Sequence, residues 1–413
     1  MRILFVTPYL PSLVRVRPYQ FVRELSRRHE ITLVATDSNA DGKDADGLRG
    51  ICRELCVVPM PLTESLRGCL AAAMRGDPLQ SAFCSSAELE RRLTSILAEK
   101  SFDLVHIEHL RAARLVSLVP QEIPTVFDSV DCISLLLERT LRASHSLFQR
   151  FLAVLELGRC RRYESRILHR FDRVAVTSPE DKCALNRLAP GAEVAVVPNG
   201  VDLEYFRPLE GPREPATLVF SGKMSYHANV SALVHFMDQI FPLIQRARPD
   251  VRLRVVGSRP PSLVTRMARN PAVTVTGYLP DIREAVGRAT VAVCPMTVKV
   301  GIQNKVLEAM AMGLPVVCTR QGATGLQSEA DRDLLVARSP AAFAESVCRL
   351  LDEPDLRARV GDAGRRYVER HHRWEDAGRR LETLYQEAKT AREPALMGEA
   401  REDIRRRAVS AEY

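Results

Sequence analysis

Short apolar runs alternate with longer segments of helical periodicity along most of this 413-residue chain. Helical patterns appear early, at residues 19–28, 86–99 and within 134–168. The predicted strands of the first half are residues 3–7, 31–35, 52–58, 104–107, 125–127, 173–177 and 193–197. Those of the second half are residues 217–221, 253–256, 273–276, 291–294 and 316–318. Because strands that alternate with helices build parallel sheets, the pattern predicts an α/β fold of two Rossmann-like halves.

The chain has one clear linker candidate, a polar stretch with proline and glycine at residues 208–215. We therefore predict an N-terminal domain at 1–207 and a C-terminal domain at 208–372. A helix at 373–391 is expected to cross back to the first domain, followed by a charged, mobile tail at 392–413. Since parallel sheets bind ligands beyond the carboxyl ends of their strands, we expect an active site in a cleft between the halves.

Composition limits the class of protein. Hydrophobic residues make up 46% and charged residues 27%, which is ordinary for a large globular enzyme. The longest apolar runs are shorter than the roughly 18 to 20 residues that span a bilayer, and the start predicts a strand rather than a signal peptide, so we expect a cytoplasmic protein. Ten scattered cysteines predict reduced, non-ligating thiols. A net charge of +8 permits an anionic partner, but no aromatic-plus-basic array supports nucleic-acid binding.

Residues 137–173 form a basic helical segment whose apolar residues recur at helical spacing. Such a segment could lie peripherally on an anionic membrane, with its arginines at the headgroups. An arginine-rich solvated face over a packed stripe explains the same pattern. The arginines are Arg139, Arg142, Arg150, Arg159, Arg161, Arg162, Arg166, Arg170 and Arg173.

Residues 301–317 combine a loop, the start of a helix and a following strand, an arrangement typical of nucleotide binding. Gly301 permits close approach of a ligand, and the helix dipole favours a diphosphate. Lys305 and Glu308 share one face of the helix, and the carboxylate is placed to bind ribose hydroxyls. An ordinary strand–helix turn, with Lys305 and Glu308 in solvent, is the alternative. The predicted amide donors are Ile302, Gln303 and Asn304.

Several landmarks agree in order with a known family, and together they cover about residues 1–388. They are the Met-Arg-Ile-Leu-Phe-Val start, Asp-Leu-Val-His at 103–106, Val-Pro-Asn-Gly-Val-Asp at 197–202, Phe-Ser-Gly-Lys at 220–223, Val-Val-Gly at 255–257, Thr-Gly-Tyr-Leu-Pro-Asp at 276–281 and the block at 301–313. The chain resembles the retaining glycosyltransferases of family 4, and it is most similar to sugar transferases of bacterial exopolysaccharide and cell-surface gene systems. This resemblance implies a GT-B fold, with two Rossmann-like domains facing across a cleft.

The resemblance also implies an activity. It implies transfer of a sugar from a nucleoside diphosphate sugar to a hydroxyl with retention, without a metal or other cofactor. The acceptor could be a lipid-linked glycan, a surface polysaccharide or a small metabolite, handled in the cytoplasm or at the inner face of the membrane. A nucleotide-sugar epimerase of the same fold and a non-catalytic nucleotide-sugar-binding scaffold remain alternatives.

Site residues follow from the matching positions. As charge grows on the departing diphosphate, cations must meet it, and Lys223 beside Gly222 matches the family's diphosphate-binding cation, with Lys305 as a second candidate. Gly277 and Tyr278 lie where the family reads the base, and Gly257 lines the same edge. For each, a surface, packing or turn role is the alternative.

The sequence departs from the family pattern at several positions. Val300 stands where the family has a sugar-binding glutamate, so Lys299, Gln303 or Asn304 are possible substitutes. Asn229 falls near the place of a second phosphate-binding cation and could donate a hydrogen bond instead.

In the first half, Arg15 and Arg17 replace a glycine loop and could clamp an anion directly. Asp128 aligns with a histidine under the donor sugar, where it could stabilise developing positive charge, orient the acceptor or simply cap a helix.

Two further patterns involve metal-binding residue types. Glu108 and His109 follow a predicted strand, beside His106, and are expected at the acceptor site; no third metal ligand is evident. Asp44 and Asp46 match the short Asp-x-Asp motif that metal-dependent transferases of another fold use, but they lie in a polar loop. We therefore predict no metal site.

Overall fold

The structure is a computed structural model that describes residues 1–13, 15–37, 46–84, 86–143, 147–299 and 301–410. Its strands are β1 (Arg2–Thr7), β2 (Glu30–Asp37), β3 (Glu54–Pro59), β4 (Leu104–Glu108), β5 (Thr125–Val130), β6 (Arg173–Val176), β7 (Val194–Val196), β8 (Thr217–Ser221), β9 (Arg252–Val256), β10 (Val273–Gly277), β11 (Val291–Cys294), β12 (Val316–Thr319) and β13 (Leu335–Ala337). Short 3-10 segments lie at Leu79–Ala82, Ala113–Leu118, Leu168–Arg170 and Arg266–Arg269, and a π-helical segment at Phe236–Ile240.

The α-helices follow the strands in alternation. They are α1 (Val16–Leu25), α2 (Asp46–Arg49), α3 (Leu62–Arg75), α4 (Ala87–Glu99), α5 (Ile133–Ala143), α6 (Leu147–Ile167), α7 (Pro179–Leu188), α8 (His227–His235), α9 (Phe241–Ala247), α10 (Ser262–Thr265), α11 (Arg283–Gly287), α12 (Asn304–Ala311), α13 (Pro340–Asp352), α14 (Pro354–His371) and α15 (Trp374–Ser410). None of those within the described ranges is long and apolar enough to cross a membrane.

The chain forms two compact units. Among the described residues, the first lies within 1–141, 147–197 and 377–410, and the second contains residues 142–143 and 198–376. The units divide after Val197, ten residues before the boundary expected from the proline-rich stretch, and the chain returns to the first unit at Ala377 inside α15. That helix continues to Ser410, through most of the stretch expected to be a tail.

The first unit is built on a parallel sheet with the strand order β3-β2-β1-β4-β5-β6-β7. Phe5 of β1 pairs with Leu33 on one side and with His106 on the other. The chain adds strands outward in one direction from β1 to β3 and in the other from β4 to β7, so the strand order reverses between β1 and β4. This reversal is the topological switch point of the sheet, and the loops that leave β1 and β4 diverge there. The carboxyl ends of β1 and β4 are therefore the expected place for a ligand in this unit.

The second unit repeats the arrangement with the order β10-β9-β8-β11-β12-β13, again in parallel. All five residues of β8 and all four of β11 are buried. Strands that are covered on both faces are apolar along their whole length, so these strands could be recognised in the sequence as continuous apolar runs. The order reverses between β8 and β11, so Gly222 and the segment before α12 flank the opening. The predicted α/β fold with two Rossmann-like units is confirmed.

Candidate functional site

The carboxyl ends of β8 and β9 approach each other through two glycines. Gly222 has φ of 145° and Gly257 has φ of 157°, and the Gly222 amide donates to the Val256 carbonyl at 2.9 Å. A Cβ on Gly257 would lie 1.8 Å from the Gly222 carbonyl oxygen, so no larger residue fits there. The two strand ends thus leave bare backbone at the switch point.

Helix α12 begins on the other side of this point. Gln303 precedes its first turn in an extended conformation, and no side chain caps the described helix start by a hydrogen bond. The side-chain amide of Gln303 donates instead to the Gly301 carbonyl at 3.3 Å. Ile302, between them, is buried. The Asn304 side-chain oxygen accepts from Asn199 at 3.1 Å. The first amides of α12 therefore keep their positive dipole for an anion.

Lys305 points back from α12 to the end of β8. Its Nζ donates to Asn229 Oδ1 at 2.5 Å and lies 4.6 Å from the centre of the Phe220 ring. A Cβ on Gly222 would lie 3.2 Å from the same nitrogen. Burial lowers the pKa of Lys305, while Cys294 and Glu308 raise it. The structure thus brings the Lys305 ammonium close to Asn229 and to Gly222 at the end of β8.

Asn229 is engaged within the protein, in contrast to the ligand contact considered for it. Its Nδ2 donates to the Lys223 carbonyl at 2.9 Å, and its Oδ1 accepts from Lys305. Since the residue is 94% buried by these neighbours, it fixes the loop after β8 and the ammonium of Lys305. Lys305 of α12 thus holds its ammonium beside Asn229, and a role of this cation in phosphate binding stays a prediction.

Glu308 lies one turn further along α12 and is half-buried. Burial raises the pKa of its carboxyl group to about 7, against the nearby Lys305, which lowers it. Within the ranges that the structure describes, neither a hydrogen bond nor an ion pair reaches this carboxylate. A partly desolvated acceptor of hydrogen bonds suits a ligand with hydroxyl groups.

The remaining donor-side candidates are exposed. Lys223 is exposed directly after Gly222, and its backbone holds the turn through Tyr226 and Asn229. Gly277 ends β10 with φ of 71°, and Tyr278 after it is 70% exposed. The Tyr278 side chain is thus accessible to a ligand, and the ligand contacts of Lys223, Gly277 and Tyr278 stay predictions.

In the first unit, Arg17 and Asp128 form a buried ion pair. Arg17 Nε lies 2.7 Å and Nη2 lies 3.1 Å from the two Asp128 oxygens, and Nη1 donates to the Val197 carbonyl at 2.9 Å. The Val130 amide also donates to Asp128. This corrects the expectation that Arg17 clamps a ligand: the anion it holds is the Asp128 carboxylate. Asp128 is neither a helix cap nor open to solvent, because it is 0% exposed in β5.

Glu108 ends β4 beside Asp128, with which it is in register. It is 1% exposed, the Tyr9 hydroxyl donates to its Oε1 at 3.2 Å, and its Oε2 has no partner among the described residues. Burial and the Asp128 charge raise the pKa of Glu108 to about 8, although Arg17 lowers it. The carboxyl group is therefore mainly neutral at pH 7.

The two histidines near this carboxyl group differ in role. His109 has φ of 67°, and its Nδ1 accepts from the Arg111 amide at 3.3 Å, which leaves the proton on Nε2. His106 is buried between the Phe5 ring, 4.1 Å away, and the Tyr385 hydroxyl. Burial lowers the pKa of each to about 3, so both are neutral at physiological pH. His106 packs inside the unit, while His109 lies at the strand end as expected.

Arg15 is exposed at the start of α1, with its guanidinium carbon 4.2 Å from the centre of the Tyr9 ring. Arg15, Glu108 and His109 are thus brought together around Tyr9. Val300, Asp44 and the Asp46 side chain lie outside the described residues. No cluster of three or more metal-binding side chains occurs within the described ranges. Metal independence stays a prediction.

Sequence reasoning missed residues that hold the site from a distance. Phe220 supplies the ring under Lys305, and Asn199 holds Asn304. Arg111 follows β4 closely, and its guanidinium lies 5.3 Å from the Phe83 ring centre. Position after a strand of the switch point was a usable signal for Arg111, whereas the role of Asn199 depends on contacts that no local pattern contains.

The comparisons with known proteins agree with this geometry. Residues 14–205 match the family Glycosyltransferase Family 4, and residues 215–353 match Glycosyl transferases group 1. The chain carries two glycosyltransferase domains. They correspond to the two units, each with its own switch point.

Several curated relatives of these glycosyltransferase domains are bacterial. A GDP-mannose-dependent monoacylated alpha-(1-6)-phosphatidylinositol monomannoside mannosyltransferase of Corynebacterium glutamicum is 32% identical over 210 residues, 46% of this chain and 55% of that protein. A D-inositol 3-phosphate glycosyltransferase of Corynebacterium efficiens is 28% identical over 228 residues, 51% of this chain and 53% of that protein. The chain spans about half the length of the curated relatives it matches.

Solved glycosyltransferase structures show the same fold over nearly the whole chain. Sucrose-phosphate synthase from Thermosynechococcus elongatus superposes with a TM-score of 0.73 at 17% identity, covering 95% of this chain and 100% of that one. Anabaena HepE in complex with UDP and glucose gives 0.66 at 15% identity, covering 94% and 100%. At these identities the likeness establishes the GT-B fold alone.

Proposed function

We propose that the protein is a retaining, metal-independent glycosyltransferase that moves a sugar from a nucleoside diphosphate sugar to a hydroxyl group. The second unit binds the donor and the first unit binds the acceptor. The acceptor oxygen bonds to the anomeric carbon, the bond to the β-phosphate oxygen breaks, and the hydroxyl proton passes to the diphosphate or to solvent. We place the reaction in the synthesis of surface polysaccharide or glycoconjugate, on the cytoplasmic side of the membrane.

The observation that carries the proposal is the meeting of the Lys305 ammonium with Gly222 beside the start of α12. A diphosphate seated there contacts bare backbone, a cation and helix amides. Negative charge develops on this group as the sugar leaves, so preorganised positive charge lowers the barrier. Lys223, exposed at the same corner, supplies a second cation.

Glu308 binds the ribose in this proposal. It is on the same helix as Lys305, half-buried, and without a partner among the described residues. Two hydroxyl groups of a ribose satisfy a carboxylate well. Tyr278 and Gly277, at the end of the adjacent strand β10, face the base.

Recognition of the sugar is assigned to neighbours of position 300. Lys299 is exposed, and Gln303 and Asn304 already have partners in Gly301 and Asn199. We therefore assign Lys299 as the strongest substitute for the missing glutamate. Solved neighbours with bound UDP and glucose, and a relative named as GDP-mannose-dependent, support a nucleotide sugar as the donor class.

A transfer assay tests the proposal. The full chain is incubated with UDP-, GDP- and dTDP-sugars in the presence of EDTA and candidate acceptors, and NMR then gives the anomeric configuration of the product. Release of nucleoside diphosphate with an axial-to-axial or equatorial-to-equatorial product supports it. Conversion of the sugar without an acceptor indicates an epimerase. Binding without turnover across all acceptors indicates a scaffold and contradicts the proposal.

A further inference from the structure

Two arginines flank the switch point of the first unit and are connected through aromatic rings. The Arg15 guanidinium lies 4.2 Å from the Tyr9 ring centre, and that ring meets His109 edge-on at 6.2 Å. The Arg111 amide donates to His109, and the Arg111 guanidinium lies over Phe83. Arg15 follows β1 and Arg111 follows β4, so both stand at the carboxyl ends of the two central strands.

Neither guanidinium forms a salt bridge within the described parts of the chain, although the Asp37 charge acts on Arg15 from a distance. Arg111 Nε is buried without a hydrogen-bond partner there. A buried donor that makes no hydrogen bond costs free energy. A native structure that retains such a donor is therefore expected to satisfy it with a bound ligand. The pKa of Arg15 is lowered by burial, and the Arg111 charge adds to this effect. An anion between the two arginines would relieve their repulsion and satisfy the donors.

The carboxyl groups nearby do not fill this role. Glu108 is mainly neutral, since burial raises its pKa to about 8, and its Oε1 accepts from Tyr9. Asp128 is held by Arg17 in the buried ion pair. These two carboxyl groups therefore do not neutralise the positive charge of Arg15 and Arg111. Both arginines lie at the strand ends where a Rossmann-like sheet is expected to bind its ligand.

We propose that Arg15 and Arg111 bind a phosphate group of the acceptor substrate. The guanidinium groups match phosphate oxygens through paired hydrogen bonds. This inference rests on the proposed function for the identity of the acceptor, and it narrows the acceptor class to phosphate-bearing hydroxyl compounds. The phosphate can belong to a soluble monoester or to a lipid headgroup.

Calorimetry on the full chain tests the site with two probes that offer no bilayer to the α3–α6 helices, glycerol phosphate and monomeric short-chain phosphatidic acid. We expect the wild-type protein to bind at least one probe, and Arg15→Gln/Arg111→Gln to bind it at least tenfold more weakly. The matched control is Arg91→Gln, an exposed arginine of α4 that pairs with Glu88. The probe that responds identifies the source of the phosphate.

Two results overturn the site: no binding of either probe to the wild type, or equal binding by the double variant. Nucleoside diphosphates are titrated in parallel to keep the two proposals distinguishable. Their binding should be unchanged by the arginine substitutions. If the double variant binds the phosphate probes as the wild type does and nucleotides still bind, this inference alone is contradicted. If the wild type binds no nucleoside diphosphate, the proposed function is contradicted.

A different observation concerns the surface of the first unit, where α3 exposes its large side chains. The buried positions of this helix hold the small residues Ser65 and Ala72. The exposed apolar residues recur every four positions, which places them along one side of the helix. They are 64% to 78% exposed: Leu62, Leu66, Leu70 and Met74.

Helix α6 carries a second group of exposed apolar residues near the end of α3. The segment after α3 rests on α6, since the Leu79 amide donates to Glu156 at 2.8 Å and Arg166 pairs with Asp77 at 2.9 Å. The exposed apolar residues of α6 are Phe151, Leu152, Val154 and Leu155. Exposed arginines on the two helices are Arg67, Arg75, Arg150, Arg161, Arg162 and Arg166, and Arg170 lies in the 3-10 segment after α6.

We propose that this α3–α6 surface docks onto an anionic lipid bilayer. Large apolar side chains that cover no core gain stability at the acyl boundary, and the arginines pair with anionic headgroups. The charge favours this occupant. Arg67, Arg75, Arg161 and Arg166 pair with only three carboxylates, Glu64, Asp77 and Glu138, so the surface keeps a positive excess that would oppose an interface between two copies. Attraction to anionic lipid falls with salt.

Vesicle flotation of the full chain tests the surface with phosphatidylglycerol and with neutral phosphatidylcholine. We expect salt-sensitive binding to the anionic vesicles, reduced at least tenfold by Leu66→Ser/Leu70→Ser. The control Leu263→Ser changes an equally apolar side chain, 53% exposed in the second unit, and should bind as the wild type does. Unchanged flotation of the double variant, or a change from dimer to monomer in sedimentation without any vesicle binding, overturns the proposal.

Discussion

The Lys305 ammonium donates a 2.5 Å hydrogen bond to Asn229 Oδ1, and this contact joins the helix after β11 to the helix after β8. The resembling enzymes carry a second phosphate-binding cation near the position of Asn229. Here a cation reaches that position from another helix, with Asn229 as its anchor. We propose that the Lys305 ammonium takes the place of that cation in the donor site.

Replacing Lys305 should separate this role from packing. We expect Lys305→Met to weaken nucleoside diphosphate binding by about 1.5 to 3 kcal/mol, the range for hydrogen bonds to charged groups. Asn229→Ala keeps the ammonium but frees it, so its effect should be smaller. Calorimetry measures both, with urea unfolding as the check of fold. Wild-type affinity in Lys305→Met would show that the lysine only packs against Phe220.

The Arg17–Asp128 pair should behave as a structural ion pair. Removing one partner leaves a buried charge, so Arg17→Met should lower the free energy of unfolding by about 3 to 5 kcal/mol. Arg17→Met/Asp128→Leu removes both charges and should be less destabilised than the sum of the single variants. Urea titration monitored by circular dichroism measures this. Additive small losses would leave Asp128 available for a direct role with the substrate.

Stability should fall as pH rises because of Glu108. Its pKa is about 8 in the folded chain and near 4.3 unfolded, so the folded state binds the proton more tightly and loses this advantage as pH rises toward 8. The comparison with Glu108→Gln isolates the effect, because the buried histidines contribute to the pH dependence of both proteins alike. We expect wild-type stability to fall by up to about 1.4 kcal/mol per pH unit more steeply than that of Glu108→Gln. Parallel curves in urea unfolding would contradict the raised pKa.

The fold was predictable because both sheets are parallel and covered on both faces. Their strands are continuous apolar runs, and most bounds agree within a few residues. The three-residue strand β13 carries too little pattern to be predicted. The division after Val197 was missed because the proline-rich stretch after it belongs to the second unit.

The block from Gly301 to Glu308 could be proposed as a nucleotide site because its chemistry lies within one local stretch of sequence, and that role stays a prediction. Partners that are distant in sequence could not be proposed in this way. Arg17 and Asp128 are 111 residues apart, and their pairing turned a predicted ligand clamp into an internal contact. Burial also decides protonation: the neutral state of Glu108 follows from its surroundings and not from its place after a strand.

Titration of UDP, GDP and dTDP into the wild-type protein and into Glu308→Ala tests the central claim most directly. The matched control is Glu345→Ala, an exposed glutamate of α13. We predict that one nucleotide binds the wild type and the control equally, and that Glu308→Ala weakens it by about 1 to 3 kcal/mol, since a partly desolvated carboxylate loses its bonds to the ribose. Binding of none of the three nucleotides, or equal binding by Glu308→Ala, would contradict a nucleotide site at α12.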